Sequence, residues 1–505
     1  MKKYYCILMI GVLLAMVYGN ISCTSGNDKL QAMIPDDAVG VMEINVHSVL
    51  SKAGMLKDNA VVVPSDLKKV IDDSAPSVLG DIIYNLPQSG IDTTCNSYIF
   101  FSPGIYKAVA LVPLTDEAAA QELVHKITSS KMQNVDGVDF ATHLDYAYVV
   151  EDDVLLIGRY STPVEAGVAA RAASEILGKK KPSLLSRDEV AECLSDSCDL
   201  SLYLNIREFA TILKKNSRFS TFFGNVPAIE IITDSDIKAL TATLDLDVEG
   251  KKQAKVETHI LYQENGQYQQ LFDNLIAAKC DSASSILKLI PGELETYVGL
   301  KIDGNKLSQM PQMSKMYEML DATPLTSGLK IKDMLAAING ATVIGVGEST
   351  VGDYNFAIAS QSSNPQLIVN EIVDVANLRG QSPMQNDGGE YVYDYDSQGI
   401  AMGQTDNAFY LRCVDFATGG DATGLQAEFQ ARLDSCAVTI FKIMKMRDNI
   451  EGYFNWGLKN KSEGYGFYRA KNENSNVAIS LLKLLCYTEH DESLGENEDD
   501  YDYGF

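Results

Sequence analysis

The sequence is poor in basic residues and in the residue types from which most active sites are built. Its 505 residues include 42 Lys and Arg against 68 Asp and Glu, with five His and one Trp. A formal net charge of −26 argues against a nucleic-acid-binding protein, because such proteins need basic surfaces that displace counterions from phosphates. No two histidines have the HxH or HExxH spacing of a metal site. A single tryptophan gives little support to a glycan-binding surface built on aromatic platforms.

Cysteine and serine motifs are missing as well. The nine cysteines are irregularly spaced and form no CxxC, which argues against a thioredoxin-like or zinc-ribbon motif. Cys193 and Cys198 are the only close pair, and they form either a disulfide or two buried small apolar side chains. We favour burial, because a domain of this size has its own core. No GxSxG elbow is present, so the sequence assigns no catalytic residue, cofactor or metal ligand, although a spatially assembled triad needs no motif.

The N-terminus has the pattern of a bacterial lipoprotein signal. Two lysines precede an apolar run at residues 6–18, which is too short to span a bilayer. The Ser-Cys pair ending at Cys23 looks like a lipobox, which implies cleavage before Cys23 and acylation of its thiol and its new amino group. Residues 1–22 are therefore interpreted as a signal peptide and residues 23–33 as a tether. The alternative is an ordinary secretory signal followed by a chance cysteine.

The remaining sequence contains one pattern of structural elements twice. An Ile-Pro turn opens the segments IPDDAVGVMEIN and IPGELETYVGLKID, and each leads into an apolar strand. Asn45 and Asp303 end these strands as predicted helix N-caps. Hairpins, a helix, a turn and further strands then follow in the same order in both segments. These ordered matches predict a tandem duplication, with lobes at 34–277 and 290–487 joined by a linker at 278–289.

Strands and helices mix without the regular alternation of a parallel sheet. We therefore predict an α+β fold of two tandem homologous lobes, each a mostly antiparallel sheet with helices on one face. Residues 488–505 hold eight acidic residues and no Lys or Arg. They are predicted to form a disordered acidic tail, because they carry too little aliphatic surface to bury.

The first half is longer than the second, with its largest excess between residues 204 and 264. Residues 214–236 are the best candidate for an insertion, and they contain Phe219, Phe222 and Phe223. An insertion is freer than a shared element to form a partner surface, so these phenylalanines are candidate partner contacts. The alternative is that they complete the core of the first lobe.

The Cys23 signal, the IPDDAVGVMEIN segment and the two-lobed length resemble an uncharacterised lipoprotein family of Bacteroidota. This family is catalogued as domain of unknown function 4836. The resemblance covers nearly all of the mature chain and implies an envelope lipoprotein. Its motifs carry no known chemistry, so it implies no catalytic residue.

We therefore expect a protein that is lipid-anchored through Cys23 in the cell envelope, in the outer membrane, and that acts by binding or scaffolding. An envelope protein is a candidate partner, and nucleic acid is not. The sequence leaves open whether the protein faces the periplasm or the exterior. Two alternatives stay open: a hydrolase whose site is assembled between the lobes, and a glycan-binding surface lipoprotein. We favour a function without catalysis.

Overall fold

The computed structural model describes most of the chain between Thr24 and Cys486. The described residues are 24–57, 60–74, 88–135, 137–160, 164–179, 181–195, 198–215, 236–246, 253–276, 282–291, 294–311, 313–314, 317–318, 328–348, 354–395, 398–413, 425–446, 449–472 and 476–486. We call residues 24–276 the first half and residues 282–486 the second half.

The described residues form an α+β fold. The strands of the first half are β1 (Gly40–Ile44), β2 (Leu56–Lys57), β3 (Ala60–Val61), β4 (Ser97–Phe101), β5 (Tyr106–Pro113), β6 (Gln133–Val135), β7 (Val138–His143), β8 (Tyr146–Glu151), β9 (Val154–Tyr160), β10 (Leu200–Leu204), β11 (Ile237–Leu246) and β12 (Gln253–Tyr262). The strands of the second half are β13 (Thr296–Asp303), β14 (Ile338–Glu348), β15 (Tyr354–Ser362), β16 (Met384–Gln385), β17 (Tyr391–Tyr395), β18 (Gln398–Gln404), β19 (Ala408–Cys413), β20 (Val438–Met446), β21 (Asn449–Leu458) and β22 (Glu463–Ala470). The helices are α1 (Thr24–Gln31), α2 (Val46–Lys52), α3 (Ser65–Ser74), α4 (Glu117–Thr128), α5 (Ala166–Leu177), α6 (Asp188–Ser195), α7 (Ile206–Lys215), α8 (Gln267–Leu275), α9 (Ser284–Leu287), α10 (Gly304–Ser308), α11 (Ile331–Ala337), α12 (Pro365–Leu378), α13 (Leu425–Ser435) and α14 (Val477–Cys486).

The strands of both halves pair in the same order. The first half has the order β12-β11-β10-β1-β4-β5-β9-β8-β7-β6. The second half has the order β22-β21-β20-β13-β14-β15-β19-β18-β17-β16. Every one of these pairings is antiparallel. Each strand of the second half therefore takes the place of the strand with the same rank in the first, apart from the small β2–β3 hairpin.

The two half-sheets join edge to edge into one sheet of 20 strands. β12 pairs antiparallel with β22, which is its counterpart in the second half. When corresponding edge strands of two similar half-sheets pair antiparallel, a pseudo-two-fold axis between the strands relates the two half-sheets. Trp456 of β21 packs at this seam, and its Nε1 donates to Thr258 Oγ1 of β12 at 3.1 Å. The residue of β22 beside the indole is Gly464. A Cβ at this position would lie 2.5 Å from the ring, so a larger residue would clash with Trp456.

The last helix of each half packs against the other half. α14 places Leu482 in an apolar cluster with residues of α2 and α3. Reciprocally, α8 places Leu271 and Leu275 in a cluster with residues of β13 and α10. α2 and α10 occupy equivalent positions, because Asn45 and Asp303 cap them by accepting a bond from the backbone N–H three residues later. The two halves thus exchange their closing helices.

Helices cover both faces of the sheet, so the predicted one-faced arrangement of helices is wrong. In β4, Tyr98 and Phe100 lie in a cluster with α1 and α5, whereas Ile99 lies in a cluster with α2, α3 and α4. In β13, Tyr297 packs with α9 and α13, and Ile302 packs with α10. Successive side chains of a strand point to opposite faces, and β4, β8 and β9 are buried at almost every position. Such continuous apolar runs are typical of strands that are covered on both faces.

The predicted tether at 23–33 and the predicted linker at 278–289 both contribute to the core. Most of the tether forms α1, whose Leu30 is 1% exposed. The linker contains α9, whose Ile286 is fully buried. Leu30 and Ile34 lie one helical turn apart, and this apolar spacing seats the segment on the sheet. The interpretation of residues 23–33 as a flexible tether is therefore corrected for the part that the structure describes.

Candidate functional site

A cavity of about 220 Å³ opens in the first half between α1 and α5. Its wall comes from the turn after α1, the turn between β4 and β5, and the C-terminal end of α5. The lining side chains are Met33, Pro35, Ile105, Tyr106, Ala172 and Ile176, which are apolar or aromatic, and Ser102, Glu175, Lys179 and Lys181, which are polar. We call this site the α5 cavity.

Small side chains hold α5 against the sheet. Ala169, Ala170 and Ala173 are at most 1% exposed, and their short side chains allow the helix to approach the strands closely. Tyr106 at the start of β5 donates from its Oη to the backbone oxygen of Ala169 at 2.6 Å. Burial raises the pKa of Tyr106, so the phenol stays a neutral donor at physiological pH. This hydrogen bond fixes one wall of the α5 cavity.

Two lysines that follow α5, Lys179 and Lys181, line the α5 cavity. Gly178 caps the helix, and Lys179 has a φ of 52°, a left-handed conformation that costs a non-glycine residue roughly 1 kcal/mol or more. Lys181 Nζ lies 2.5 Å from Asp37 Oδ2, and because both side chains are about half exposed this ion pair adds little stability. Glu175 adds one carboxylate to the lining. With Asp37 counted, two ammonium groups and two carboxylates lie at this end of the α5 cavity.

A buried carboxylate ties α1 to the sheet. Glu43 of β1 is 5% exposed, and its Oε1 accepts from Tyr98 Oη at 2.8 Å and from Asn96 Nδ2 at 2.5 Å. Both donor residues also contact α1. Gln31 Nε2 donates to Tyr98 Oη at 3.1 Å, and the backbone N–H of Asn96 donates to Asn27 Oδ1 at 2.7 Å. α1 is thus held by a polar network as well as by its apolar face.

Burial raises the pKa of Glu43 above its ordinary value of 4.5, and the hydrogen bonds from Asn96 and Tyr98 oppose this shift only in part. The other carboxylate oxygen, Oε2, has no hydrogen-bond partner among the described residues. The folded pKa therefore exceeds the unfolded one. The contribution of Glu43 to the free energy of unfolding is fully present below its pKa in the unfolded chain. It is lost as the pH rises through its pKa in the folded protein.

We expect Glu43→Gln to remove this pH-dependent loss, because the amide does not ionise. In urea denaturation, the free energy of unfolding of the variant minus that of the wild type should increase as the pH rises from 4.5 to neutral. Glu463→Gln, at an exposed position, is the matched control and should show no such trend. A difference between Glu43→Gln and wild type that does not change with pH would contradict a buried, titrating Glu43.

α5 has no counterpart among the described residues of the second half. Residues 161–187 connect β9 to α6, whereas residues 414–424 connect β19 to α13. The first-half connection is therefore 16 residues longer, and α5 accounts for 12 of these residues. An element found in only one half is not needed for the strand order that both halves have, so it is free to form a binding site.

The structure does not test the site residues that we predicted from the sequence. Cys23, Phe219, Phe222 and Phe223 are outside the described residues, so their lipidation and partner contacts stay predictions. Sequence reasoning missed the α5 cavity. One signal was available: the offset between matched residues of the two halves falls by 16 just where α5 is added.

Groups that could hold a metal ion were sought among the described residues. No three His, Cys, Asp or Glu side chains among them are arranged to hold a metal ion. Cys193 and Cys198 are thiols, whose Sγ atoms donate to Leu202 O at 3.4 Å and to Asp245 Oδ2 at 3.8 Å. The lining of the α5 cavity includes no histidine or cysteine among these residues. That lining combines apolar side chains with two lysines and one glutamate.

The family of the chain follows from a sequence comparison. The family model described as Domain of unknown function (DUF4836) matches residues 30–412, which is more than half of the chain. The chain belongs to the DUF4836 family. All residues that line the α5 cavity fall inside the match to DUF4836.

Solved structures of TP0453 show a distant likeness to this DUF4836 chain. The "Structure of crystal form I of TP0453" aligns with a TM-score of 0.29 and 12% identity, covering 46% of this chain and 78% of that chain. Crystal form IV gives 0.22 and 10%, with coverage of 38% and 80%, and crystal form III gives 0.21 and 9%, with coverage of 41% and 99%. No curated protein matches the chain. Within the described residues, no helix has both the length and the apolar character needed to cross a membrane.

Proposed function

We propose that this DUF4836 chain is a lipid-anchored protein of the bacterial cell envelope, held in the outer membrane by acylated Cys23, and that it acts by binding. The observation that supports this function best is the position of α1. The helix begins one residue after Cys23, and the turn that follows it places Met33 in the wall of the α5 cavity. Ten residues separate Cys23 from Met33, which is about 15 Å at the helical rise.

A lipid on Cys23 would thus hold the α5 cavity at a short and fixed distance from the bilayer. α1 is packed on the sheet through Leu30 and through the network around Glu43. It therefore links the lipid anchor rigidly to the rest of the fold. A flexible tether would not do this. The family resemblance to lipoproteins of Bacteroidota agrees with the proposal.

We propose further that the two halves are tandem homologous lobes that arose by duplication. The shared strand order, the seam between the corresponding strands β12 and β22, and the reciprocal exchange of α8 and α14 support this origin. α5 is then an addition to one copy. This origin explains why the α5 cavity occurs in one lobe only, since α5 is not part of the core that the two lobes share.

The anchor is tested by substitution of Cys23. We expect Cys23→Ala to move the protein from the membrane fraction to the soluble fraction of cells almost completely, because a single apolar leader of this length does not span a bilayer. Cys198→Ala is the matched control, since it removes the thiol of another cysteine, which carries no proposed anchor, and it should stay membrane-bound. Retention of the Cys23→Ala variant at the wild-type level would contradict the proposal.

A further inference from the structure

We propose that the α5 cavity binds a small, uncharged and mainly apolar molecule, about the size of a seven-carbon alcohol. This inference rests on the proposed binding function and names the ligand class for the same site. It does not depend on acylation of Cys23.

The buried part of the lining is apolar. Met33 and Tyr106 are each 2% exposed, and Ala172 and Ile176 of α5 are half-buried. A methionine side chain is flexible and polarizable, so it adapts to ligands of different shape. An apolar group that enters here exchanges water for aliphatic and aromatic contacts, which is favourable in proportion to the apolar area removed from water.

Hydrogen bonds within the protein hold two walls of the α5 cavity in place. Tyr106 Oη donates to the backbone oxygen of Ala169 in α5, so this hydroxyl is already engaged. In the turn that carries Ile105, Ser102 Oγ accepts from the backbone N–H of Gly104 at 3.1 Å. Walls that are fixed in advance lower the entropy cost of binding.

The charges beside the α5 cavity balance. Lys179, Lys181 and Glu175 belong to the lining, and Lys181 Nζ lies 2.5 Å from Asp37 Oδ2. Two ammonium groups therefore face two carboxylates, and the negative end of the α5 dipole adds a further term against an anion. An ion of either sign would lose hydration here without an unbalanced partner to compensate it. A neutral molecule avoids this cost.

The size of the α5 cavity limits the ligand. A volume of about 220 Å³ holds roughly seven water-sized groups at about 30 Å³ each. Ile105, at 37%, is far more exposed than Met33 and Tyr106, so further carbons would extend past it into water. Affinity should therefore rise with chain length up to about seven carbons and then level off.

The test uses the full chain with Cys23→Ala, purified without detergent and labelled at its methionine methyl groups for NMR at pH 7. Heptanol is the probe, and heptanoate and heptylammonium are its anionic and cationic counterparts of equal chain length. We expect heptanol to shift the Met33 methyl resonance saturably, with at least threefold higher affinity than either ion. Met33→Leu identifies the resonance. Pentanol should bind about tenfold more weakly than heptanol, because it buries two methylenes fewer.

Variants of the lining connect binding to the α5 cavity. Ala172→Trp fills the cavity and should weaken heptanol binding at least tenfold, whereas Ala431→Trp, at an exposed position of α13, should not change it. Ile105→Ser alters an exposed side chain and should fold like the wild type, so it serves as the second variant if Ala172→Trp does not fold. It should weaken heptanol binding roughly two- to threefold, because apolar contacts are lost.

A reciprocal pair of variants tests the charge balance. Asp37→Asn leaves the lysines in excess and should strengthen heptanoate binding roughly two- to threefold. Lys181→Gln leaves the carboxylates in excess and should strengthen heptylammonium binding by a similar factor. Neither should change the affinity for heptanol, and both should fold normally, because the ion pair is about half exposed.

Three outcomes would overturn the inference. They are the absence of a saturable shift of the Met33 methyl resonance with heptanol, wild-type affinity in both lining variants, and an affinity for either ion that equals or exceeds that for heptanol. None of these outcomes bears on membrane anchoring, which is tested separately by fractionation of the Cys23→Ala variant in cells. A failure of the ligand assignment is therefore distinguishable from a failure of the proposed function.

Discussion

Leu482→Ala is expected to lower the free energy of unfolding by roughly 2–5 kcal/mol, because truncation of a buried leucine loses apolar contacts and leaves a cavity. Leu482 lies in α14, at the C-terminal end of the second half, and is 3% exposed. Its apolar cluster includes residues of α2 and α3 in the first half. Urea denaturation measures the loss. Leu378→Ala is the matched control, because Leu378 is 83% exposed and its truncation should change stability by about 0.5 kcal/mol or less.

The location of the effect tests the helix exchange. If α14 closes the core of the first half, Leu482→Ala should speed amide hydrogen exchange in α2 and α3 more than in α11 and α12 of the second half. Faster exchange confined to the second half would contradict the exchange of closing helices. So would a stability loss no larger than that of Leu378→Ala.

Asp199→Ala is expected to lower the free energy of unfolding by about 3–5 kcal/mol, because it leaves a largely buried ammonium group without its partner. The Asp199 side chain is fully buried, and its Oδ2 accepts from Lys52 Nζ at 2.8 Å and from the backbone N–H of Leu246 at 2.5 Å. The backbone oxygen of Lys52 accepts from Asn476 Nδ2 at 2.7 Å, just before α14. The pair thus supports the contact between α2 and α14.

Asp199→Asn keeps the shape of the side chain and one acceptor for Leu246, so it should lose less stability than Asp199→Ala. Thermal or urea unfolding of the two variants gives the comparison. A loss of less than about 1 kcal/mol for Asp199→Ala would show that Lys52 finds water or another partner, and it would contradict the structural role assigned to this pair.

Local features of the fold could be predicted from the sequence because they depend on a few neighbouring residues. Asn45 and Asp303 cap helices in the structure as the sequence predicts, since each side chain accepts from a backbone N–H three residues later. The α+β class also followed from the mixture of strands and helices.

Long-range packing could not be predicted in the same way. The apolar faces of α8 and α14 show that these helices are buried, but they do not show against which half, because both halves offer equivalent surfaces. The continuous apolar run of β9 indicates a segment that is buried on both sides. Such a run does not distinguish a strand covered on both faces from a buried helix, so it did not predict helices on both faces of the sheet.

The candidate site was beyond sequence reasoning for a related reason. Lys179 and Lys181 look like surface lysines after a helix, and only the fold brings them into the lining of a cavity with Met33, which lies far from them in sequence. The length difference between the halves marks α5 as an addition. It does not indicate what the addition binds.

Mass spectrometry of the N-terminal peptide of the mature protein, purified from membranes, tests the central claim most directly. We expect a peptide that begins at Cys23 and carries acyl groups on its thiol and its amino group. A mature chain that begins at another residue, or a Cys23 without acyl groups, would contradict a lipid-anchored protein whose α1 holds the α5 cavity near the bilayer.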